Sequence, residues 1–281
     1  MQVEPGAVPD ADVERRFAGV TRLLGAEAHA RLRAARIAVV GVGGVGSWAA
    51  EALARSGVEK ITLIDLDHVA ESNANRQIQA LGGEFGKAKV VAMAQRIESI
   101  NPRAQVICIE EFVSEDNVAG LMRDLDLVLD CIDQVSAKAA LIAHACAIGL
   151  RAITCGAAGG RIDPTRIRCA DLARALGDPL LAKVRYRLRR RYGFARESGT
   201  RRPAFGVDAI FSDEPVRKPG STGQPPSSAA PGPVDPSEAA AASEVEFRST
   251  LACAGYGSAV TVTAPFGFAA AACALERIAR A

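Results

Sequence analysis

The sequence lacks closely spaced cysteine pairs. Its seven cysteines are scattered, and no Cys-x-x-Cys pair occurs in the 281 residues. A zinc site built on such pairs is therefore not expected. An odd number of scattered cysteines, several within apolar runs, is typical of reduced thiols and predicts a cytoplasmic protein. The three histidines, His29, His68 and His144, are too far apart in the chain to suggest a metal site.

The sequence also shows neither a strong charge imbalance nor the pattern of a secretory signal. The net charge is only +2, so the overall balance points to no particular partner. Residues 1–17 contain no apolar core of a secretory signal, and we expect them to form a flexible lead-in.

A long, strongly apolar run is also missing. Residues 249–275 carry no charge, but they are rich in Ala, Gly and Thr and are interrupted by Pro265. A membrane-spanning helix needs roughly 20 strongly apolar residues. The pattern instead favours a buried strand over residues 259–264, "AVTVTA", followed by a buried helix, with no stable membrane insertion.

What the sequence does contain is an alternation of short apolar runs with amphipathic segments. Such an alternation predicts a doubly wound, mostly parallel sheet of the Rossmann-like type, flanked by helices. The predicted strands are "RIAVV", "KITLIDLD", "QVICIEEFV", "LDLVLDCID" and "RAITCGAA". The predicted helices between them are "GSWAAEALARSG", "KAKVVAMAQRIESINP" and "SAKAALIAHACAIGL".

Two later segments differ in composition from this alternating part. Residues 174–202 contain ten Lys or Arg but only two Asp or Glu, and residues 213–245 are rich in Pro, Gly, Ser and Ala. The second composition predicts a disordered insertion, because it offers little apolar surface to bury. We predict a single domain over residues 1–281. Its parts are a nucleotide-binding core (16–172), a basic substrate-docking segment (173–212), the disordered insertion (213–245), and a C-terminal strand and helix that complete the core (246–281).

A glycine-rich loop lies between the first predicted strand and the first predicted helix. Gly41, Gly43 and Gly46 form Gly-x-Gly-x-x-Gly, and Asp65 ends the next strand. Glycine allows a tight turn and a close approach of the backbone to phosphate oxygens at a helix N-terminus. A carboxylate after the second strand is suited to bind ribose hydroxyls. The pattern predicts a nucleotide site without deciding which nucleotide it holds.

The side chains that follow the next strands favour a triphosphate over a dinucleotide. Asn73 and Arg76 come after the second strand, Lys89 opens the next helix, and Asp130 and Asp133 follow the fourth strand. Sheets of this type bind ligands at the carboxyl ends of their strands. Arginine and lysine offset phosphate charge, and a carboxylate holds Mg²⁺. A nicotinamide site needs an apolar slot instead.

These residues resemble a known group of enzymes. "GVGGVGSWAAEALARSGVEKITLIDLDHVAESNANRQ", "GKAKV" and "DLVLDCID" are similar to the adenylating enzymes related to ubiquitin-activating enzyme, which include those of molybdopterin and thiamine synthesis. The likeness covers residues 16–172 and 249–278. "RFAGVTRLLG", "SNANRQIQAL" and "CGAAGGRIDPTRIRCADLARA" most resemble the tRNA threonylcarbamoyladenosine dehydratases. The missing Cys-x-x-Cys pairs agree, because the other two branches usually carry zinc.

The resemblance implies a role for each matching position. Arg76, Lys89 and Asp133 would be catalytic: the two cations would stabilise charge on the attacked α-phosphate, and Asp133 would hold Mg²⁺. Arg22, from a second subunit, would reach the γ-phosphate, which implies a homodimer. The implied ATP-binding set is Gly41, Gly43, Gly46, Asp65, Asp67, Asn73, Arg76, Lys89, Asp133 and Arg22.

The activity implied by the resemblance is ATP-dependent dehydration of threonylcarbamoyladenosine in tRNA. Activation of the carboxylate would let a nitrogen of the same side chain close a ring with net loss of water, and ring closure is favoured because both groups are already joined. The basic segment would dock tRNA. This chemistry requires no catalytic cysteine, although Cys169 and Cys253 are the least clearly buried candidates.

Three other functions remain open on the residues alone. The first is adenylation of the C-terminal carboxylate of a small sulfur-carrier protein, which would use the same ATP site. The second is NAD-dependent oxidoreduction, and the third is a non-catalytic RNA-binding scaffold. A sulfur-transfer protein is a further possible partner.

Overall fold

The protein is represented by a computed structural model, which describes residues 10–196, 203–217 and 256–280. Its centre is a seven-stranded sheet. Numbered along the chain, the strands are β1 (Arg36–Val40), β2 (Lys60–Ile64), β3 (Gln105–Ile109), β4 (Leu127–Asp130), β5 (Arg151–Cys155), β6 (Ile167–Asp171) and β7 (Asp208–Ser212).

The strand order is β3-β2-β1-β4-β5-β7-β6. Every neighbouring pair is parallel except β6 and β7, which are antiparallel. The order reverses between β1 and β4, and such a switch point opens a crevice at the carboxyl ends of the strands. β1 and β4 are buried almost throughout, as expected for central strands covered on both faces.

Helices cover both faces of the sheet and create two apolar cores. The helices are α1 (Asp10–Leu24), α2 (Ala26–Ala34), α3 (Gly46–Arg55), α4 (Lys89–Ile100), α5 (Val118–Leu121), α6 (Val135–Ala147), α7 (Pro179–Arg191) and α8 (Val260–Ala279). One core joins β1 to α3, α4 and α8, and the other packs α6 and α7 on the opposite face. The doubly wound, mostly parallel sheet that the sequence predicts is confirmed.

The predicted C-terminal strand was wrong. Residues 259–264 do not extend the sheet, because Val260–Ala279 is one continuous helix that contains Pro265. The β-branched residues of this stretch favour a strand locally, but tertiary packing overrides that preference. Gly267 lets α8 lie directly against α3, since a Cβ there would stand 2.5 Å from the Val45 carbonyl oxygen and 2.8 Å from the Ala49 nitrogen.

α8 is also the one helix in the described ranges that is long and apolar enough to cross a membrane. Of its most apolar window, 56% is buried inside the structure, against α3 and the sheet. A core helix passes the same length and composition test, and the close packing at Gly267 identifies α8 as one.

The predicted basic segment is partly built into the core. Within residues 173–212, α7 buries Leu180, Leu181, Val184 and Leu188 under the sheet, and β7 is inserted between β5 and β6. The nucleotide-binding sheet therefore extends beyond residue 172. The edge strand β6 was missed because Arg168 and Asp171 interrupt its apolar residues, and β7 was missed because only three consecutive apolar residues, 209–211, lie within it.

The N-terminal segment and the insertion also differ from what the sequence predicts. The expected flexible lead-in is helical from Asp10 onwards, where α1 buries Val13 and Phe17. Most of the insertion predicted over residues 213–245 lies outside the described residues. Its first part does not: residues 213–217 are placed, and the Arg217 nitrogen donates to the Gly160 carbonyl at 2.8 Å.

Candidate nucleotide-binding site

A cleft of about 680 Å³ opens at the carboxyl ends of β1, β2 and β4, where the strand order reverses. Its volume lies within the usual range for small-molecule sites. Most of the residues that the sequence assigns to nucleotide binding line this cleft. They are Gly41, Gly43, Asp65, Asp67, Asn73, Arg76, Lys89 and Asp133. Chain folding therefore brings together residues that are up to 92 positions apart in the sequence.

The three predicted glycines have different structural roles. Gly41 has a φ of +86°, and a Cβ there would lie 2.9 Å from the Cys131 carbonyl oxygen. At Gly46, which does not line the cleft, a Cβ would stand 1.9 Å from the Gly41 carbonyl oxygen. Gly43 lines the cleft and has no neighbour within 4 Å of an added Cβ. Gly41 and Gly46 thus close the turn, and Gly43 leaves room for a ligand.

This difference predicts opposite outcomes for two alanine substitutions. Gly43→Ala should leave the melting temperature nearly unchanged but weaken ATP binding at least about tenfold, because the methyl group would occupy the phosphate path. Gly46→Ala should cost about 1–3 kcal/mol of stability, since backbone atoms must move apart. Calorimetry and thermal melts on both variants test the pair. Equal ATP affinity in wild type and Gly43→Ala would remove this position from the phosphate site.

A charged network lies beside the glycine loop at the end of β2. The Asp65 carboxylate accepts hydrogen bonds from the backbone N–H of Val42 at 2.6 Å and of Asp67 at 2.9 Å. Burial raises the pKa of the Asp65 carboxyl, while the Lys89 ammonium opposes the increase. Asp65 is therefore held rigidly against the loop that carries Gly41 and Gly43.

Lys89 is placed at the first position of α4 and is only 6% exposed. Its Nζ lies 2.6 Å from Asp67 Oδ2, and the side chain of Asp67 is 57% exposed. Both residues line the cleft. Lys89 therefore places a buried positive charge at the cleft, with a partner that is largely solvated.

Arg76 is fixed by hydrogen bonds that leave its guanidinium at the cleft. Its Nη1 donates to the Ser72 carbonyl at 2.8 Å and to Asn75 Oδ1 at 2.9 Å. Its own carbonyl accepts a hydrogen bond from Trp48 Nε1 at 2.8 Å. Asn73 is buried and its Oδ1 accepts from the Ala70 nitrogen at 3.1 Å. These bonds hold the loop after β2 in place, so that Arg76 and Lys89 face the same cavity.

The structure distinguishes the two carboxylates after β4. Asp130 is fully buried, where its Oδ2 bonds to Lys138 Nζ at 2.8 Å and to Thr154 Oγ1 at 2.7 Å. Asp133 is exposed and lines the cleft. Of these two carboxylates, only Asp133 lines the cleft. Asp130 stabilises the sheet instead, through an ion pair that connects α6 to β4 and β5.

Two predicted residues are not part of the cleft within this chain. Arg22 is exposed near the end of α1, which packs by the opposite ends of the strands: Arg16, for example, bonds to the Ile100 carbonyl at the end of α4. Cys169 lies on β6, where a hydrogen bond with the Cys273 thiol lowers the pKa of the Cys169 thiol. The second candidate cysteine, Cys253, lies outside the described residues.

Several cleft residues were missed by sequence reasoning. Phe112 and Ser114 follow β3, Gly156 follows β5, and Thr263 comes from α8. The residues after β3 and β5 occupy the same carboxyl edge as the predicted ones, so the strand-end rule alone would have found them. Thr263 had no such signal, because its position depends on how α8 packs.

Comparison with known proteins agrees with this geometry. Residues 15–174 match the model of the ThiF family. The chain belongs to the ThiF family. Within that family, it is 44% identical over 266 residues to the tRNA threonylcarbamoyladenosine dehydratase of Escherichia coli strain K12, covering 94% of this chain and 93% of the relative. It is 41% identical over 267 residues to the dehydratase of Haemophilus influenzae, covering 94% of each.

A solved structure from the same branch of the ThiF family matches nearly the whole fold. The E. coli tRNA N6-threonylcarbamoyladenosine dehydratase in complex with ATP superposes with a TM-score of 0.79 at 42% identity, covering 97% of both chains. That relative binds ATP, which agrees with the charged cleft and not with an apolar slot for a nicotinamide ring. The resemblance predicted from the sequence motifs is confirmed.

Proposed function

We propose that the protein is an ATP-dependent dehydratase of the threonylcarbamoyladenosine in tRNA. The observation that carries this proposal is the combination of similarity to dehydratases over nearly the whole chain with a cleft in which Arg76, Lys89 and Asp133 meet the glycine loop. The sulfur-carrier alternative shares the ATP site, but the relatives from E. coli and H. influenzae that match 94% of the chain are dehydratases. A non-catalytic scaffold would have no need for a buried lysine beside an open phosphate path.

The reaction begins with a carboxylate that is a poor electrophile. Its oxygen attacks the α-phosphorus of ATP, pyrophosphate departs, and the carboxylate becomes an activated ester whose leaving group is AMP. A nitrogen of the same side chain then attacks the acyl carbon and loses its proton, and the oxygen leaves with AMP. The net change in the modified base is loss of one water, and the intramolecular geometry favours ring closure.

The chain's own residues act by position and charge. Lys89 and Arg76 both line the cavity, so that they offset the negative charge that grows on the attacked phosphate. Asp65 and the N-terminus of α3 position the two ends of the nucleotide: the carboxylate binds the ribose, and the backbone N–H groups of the glycine loop face the phosphates.

Asp133 fits a magnesium ion bound to the phosphates. Mg²⁺ is usually held by one or two carboxylates together with phosphate oxygens and water. An exposed carboxylate at the rim of the cleft supplies the first of these ligands without needing a closed protein cage. When bound, the metal would neutralise charge on the phosphates, and Asp133 would hold it in the same cleft as the glycine loop.

A homodimer would complete the site. Arg22 does not line the cleft of its own chain, and Arg16 on the same helix bonds to the Ile100 carbonyl at the end of α4. A second copy that presents its α1 at the cleft rim would bring Arg22 of that copy to the γ-phosphate. The proposal also includes a sulfur-transfer protein as a partner, and we assign it no docking surface among the described residues.

The tRNA would dock on the basic end of α7. Arg190 and Arg191 are exposed there, Arg190 lies over the ring of Tyr186, and Tyr192 and Arg191 share Glu115 as a partner. Cationic side chains release counterions from the phosphate backbone, and an exposed tyrosine stacks on unpaired bases. The same helix buries its apolar face, so that its basic face is held rigidly at the surface.

The double variant Arg190→Gln/Arg191→Gln tests this surface. We expect weaker tRNA binding, with the log–log salt slope reduced by about one for each phosphate that the variant no longer neutralises. ATP affinity should stay unchanged, and stability should change by less than about 1 kcal/mol, because exposed ion pairs contribute little. Filter binding at several salt concentrations measures the slope. If the salt slope and the tRNA affinity of the variant match wild type, α7 does not dock tRNA, and Arg31, Arg33 and Arg36 become the next candidates.

The activity itself is tested on the tRNA product. The protein is incubated with ATP, Mg²⁺ and tRNA that carries threonylcarbamoyladenosine, and the digested nucleosides are analysed by mass spectrometry. Loss of one water from that nucleoside, dependent on ATP, is the expected result. An unchanged nucleoside, combined with ATP–pyrophosphate exchange that requires a small carrier protein, would replace the proposal by the sulfur-carrier reaction.

A further inference from the structure

A second cluster of reactive side chains lies far from the cleft, at the opposite edge of the sheet from β3. It consists of Cys169 on β6, Asp208 at the start of β7 and Cys273 on α8. Their ligand atoms all lie within 4.8 Å of one another, and the two sulfur atoms are 4.0 Å apart. The nucleotide chemistry makes no use of these residues.

The fold itself brings the three residues together. In the antiparallel register, Cys169 pairs with Ile210 and Asp171 pairs with Asp208, so Cys169 and Asp208 lie on the same face of the sheet. α8 crosses this face and adds Cys273, with Arg277 one turn further along the helix. Three distant segments of the chain therefore converge at one point.

We propose that Cys169, Asp208 and Cys273 form a binding site for a thiophilic divalent cation such as Zn²⁺. Tetrahedral zinc with two thiolate ligands at about 2.3 Å places the two sulfur atoms about 3.8 Å apart. The observed 4.0 Å is close to that spacing, whereas a disulfide bond needs about 2.05 Å. The spacing of the two sulfur atoms thus matches that of two thiolates sharing one ion.

The charges of the site balance around such an ion. Two thiolates and one carboxylate would leave one excess negative charge on a divalent cation, and Arg277 supplies the compensating positive charge. Arg277 already binds both oxygens of Asp208, through Nε at 2.7 Å and Nη2 at 2.8 Å. Each carboxylate oxygen has a second lone pair for a metal, so Arg277 would orient this ligand rather than compete for it.

The site also has an entry path and an open coordination position. A cavity of about 580 Å³ is lined by Cys169, Asp208 and Arg277, and Cys169 is exposed. Water from this cavity would supply the fourth ligand. Thiolate donors select zinc and similar soft cations over Mg²⁺ or Ca²⁺, which prefer oxygen ligands. The bound ion would join α8 to the edge strand β6, and α8 in turn carries Thr263 to the ATP cleft.

Cobalt binding provides the direct test, because cobalt thiolate complexes absorb in the near ultraviolet. The reduced full-length protein, stripped with a chelator, is titrated with Co²⁺ and then with Zn²⁺. We expect one Co²⁺ per chain with thiolate absorption that Zn²⁺ abolishes. Cys169→Ser should lower the affinity at least about tenfold, since even changes outside the ligand shell cost roughly 10–100-fold. Cys108→Ser, on the far edge strand β3, should behave as wild type.

A second measurement uses the wild-type protein and so does not depend on the folding of a variant. Zn²⁺ should slow alkylation of Cys169 by iodoacetamide, while alkylation of Cys108 proceeds at the same rate. The proposal is overturned if Cys169→Ser retains full Co²⁺ affinity, if no thiolate absorption develops, or if Zn²⁺ leaves Cys169 alkylation unchanged. Recovery of a Cys169–Cys273 disulfide from a protein that binds no metal when reduced also overturns it.

Discussion

Replacing Asp133 by alanine is expected to lower ATP-dependent turnover at least about 100-fold, which corresponds to about 2.7 kcal/mol of barrier. The reason is that Asp133 is the exposed carboxylate after β4 at the cleft rim, where it would hold Mg²⁺ on the phosphates. The melting temperature should remain close to wild type, because an exposed side chain contributes little burial. Initial rates of AMP release across a range of Mg²⁺ concentrations measure the effect.

Glu98→Ala is the matched control for this substitution. Glu98 is an exposed carboxylate on α4 outside the cleft, so its removal changes the net charge equally without touching the site. Its turnover and magnesium dependence should match wild type. Turnover of Asp133→Ala within threefold of this control would show that Asp133 holds no catalytic metal. Asp130 would not replace it as a candidate, because it is fully buried and paired with Lys138.

The second large effect is expected for Lys89→Gln. Lys89 is a buried cation that reaches into the cleft, and its loss removes charge that stabilises the transition state of phosphoryl transfer. Removal of one such preorganised donor costs roughly 10²–10³ in rate. The decrease should fall mainly on kcat, since Arg76 and the glycine loop still bind the nucleotide. Steady-state kinetics together with ATP calorimetry separate the two contributions.

Lys87→Gln supplies the control two residues away. Lys87 is 41% exposed in its side chain and pairs with Glu84 at 2.9 Å, outside the cleft lining. This variant removes the same positive charge two residues earlier in the chain, just before α4, and its turnover rate should match wild type. If Lys89→Gln and Lys87→Gln are equally active, Lys89 serves the pair with Asp67 and has no part in the reaction.

Lys89 also shows why stability and activity have to be measured together in these variants. Its direct partner Asp67 is more than half exposed, so removal of the lysine leaves a solvated carboxylate there, and the more buried Asp65 carboxyl, which keeps its two backbone hydrogen bonds, loses a nearby positive charge. The expected cost in stability is therefore small compared with the cost of breaking the Lys138–Asp130 pair, in which both side chains are 0% exposed. We therefore expect a large fall in melting temperature for Lys138 variants and a large fall in turnover rate for Lys89 variants.

The sequence by itself determined the alternating plan and most of the charged residues that line the cleft. Gly41, Asp65 and Lys89 are recognisable because they follow or precede strands with a clear apolar pattern, and parallel strands deliver their carboxyl ends to one edge. Local rules are sufficient there, since each residue lies within a few positions of the strand or helix that places it. The motifs around these residues are also enough to identify the family.

Only the tertiary structure decided the elements whose local preference conflicts with their surroundings. Residues 259–264 are rich in β-branched side chains that favour a strand, but the close approach of α8 to α3 at Gly267 makes them helical. β7 contains only three consecutive apolar residues, 209–211, and follows a basic helix, so its local sequence does not identify it as a sheet strand. The Cys169–Asp208–Cys273 cluster depends on both of these elements. Its members are up to 104 residues apart, and their meeting is set by packing alone.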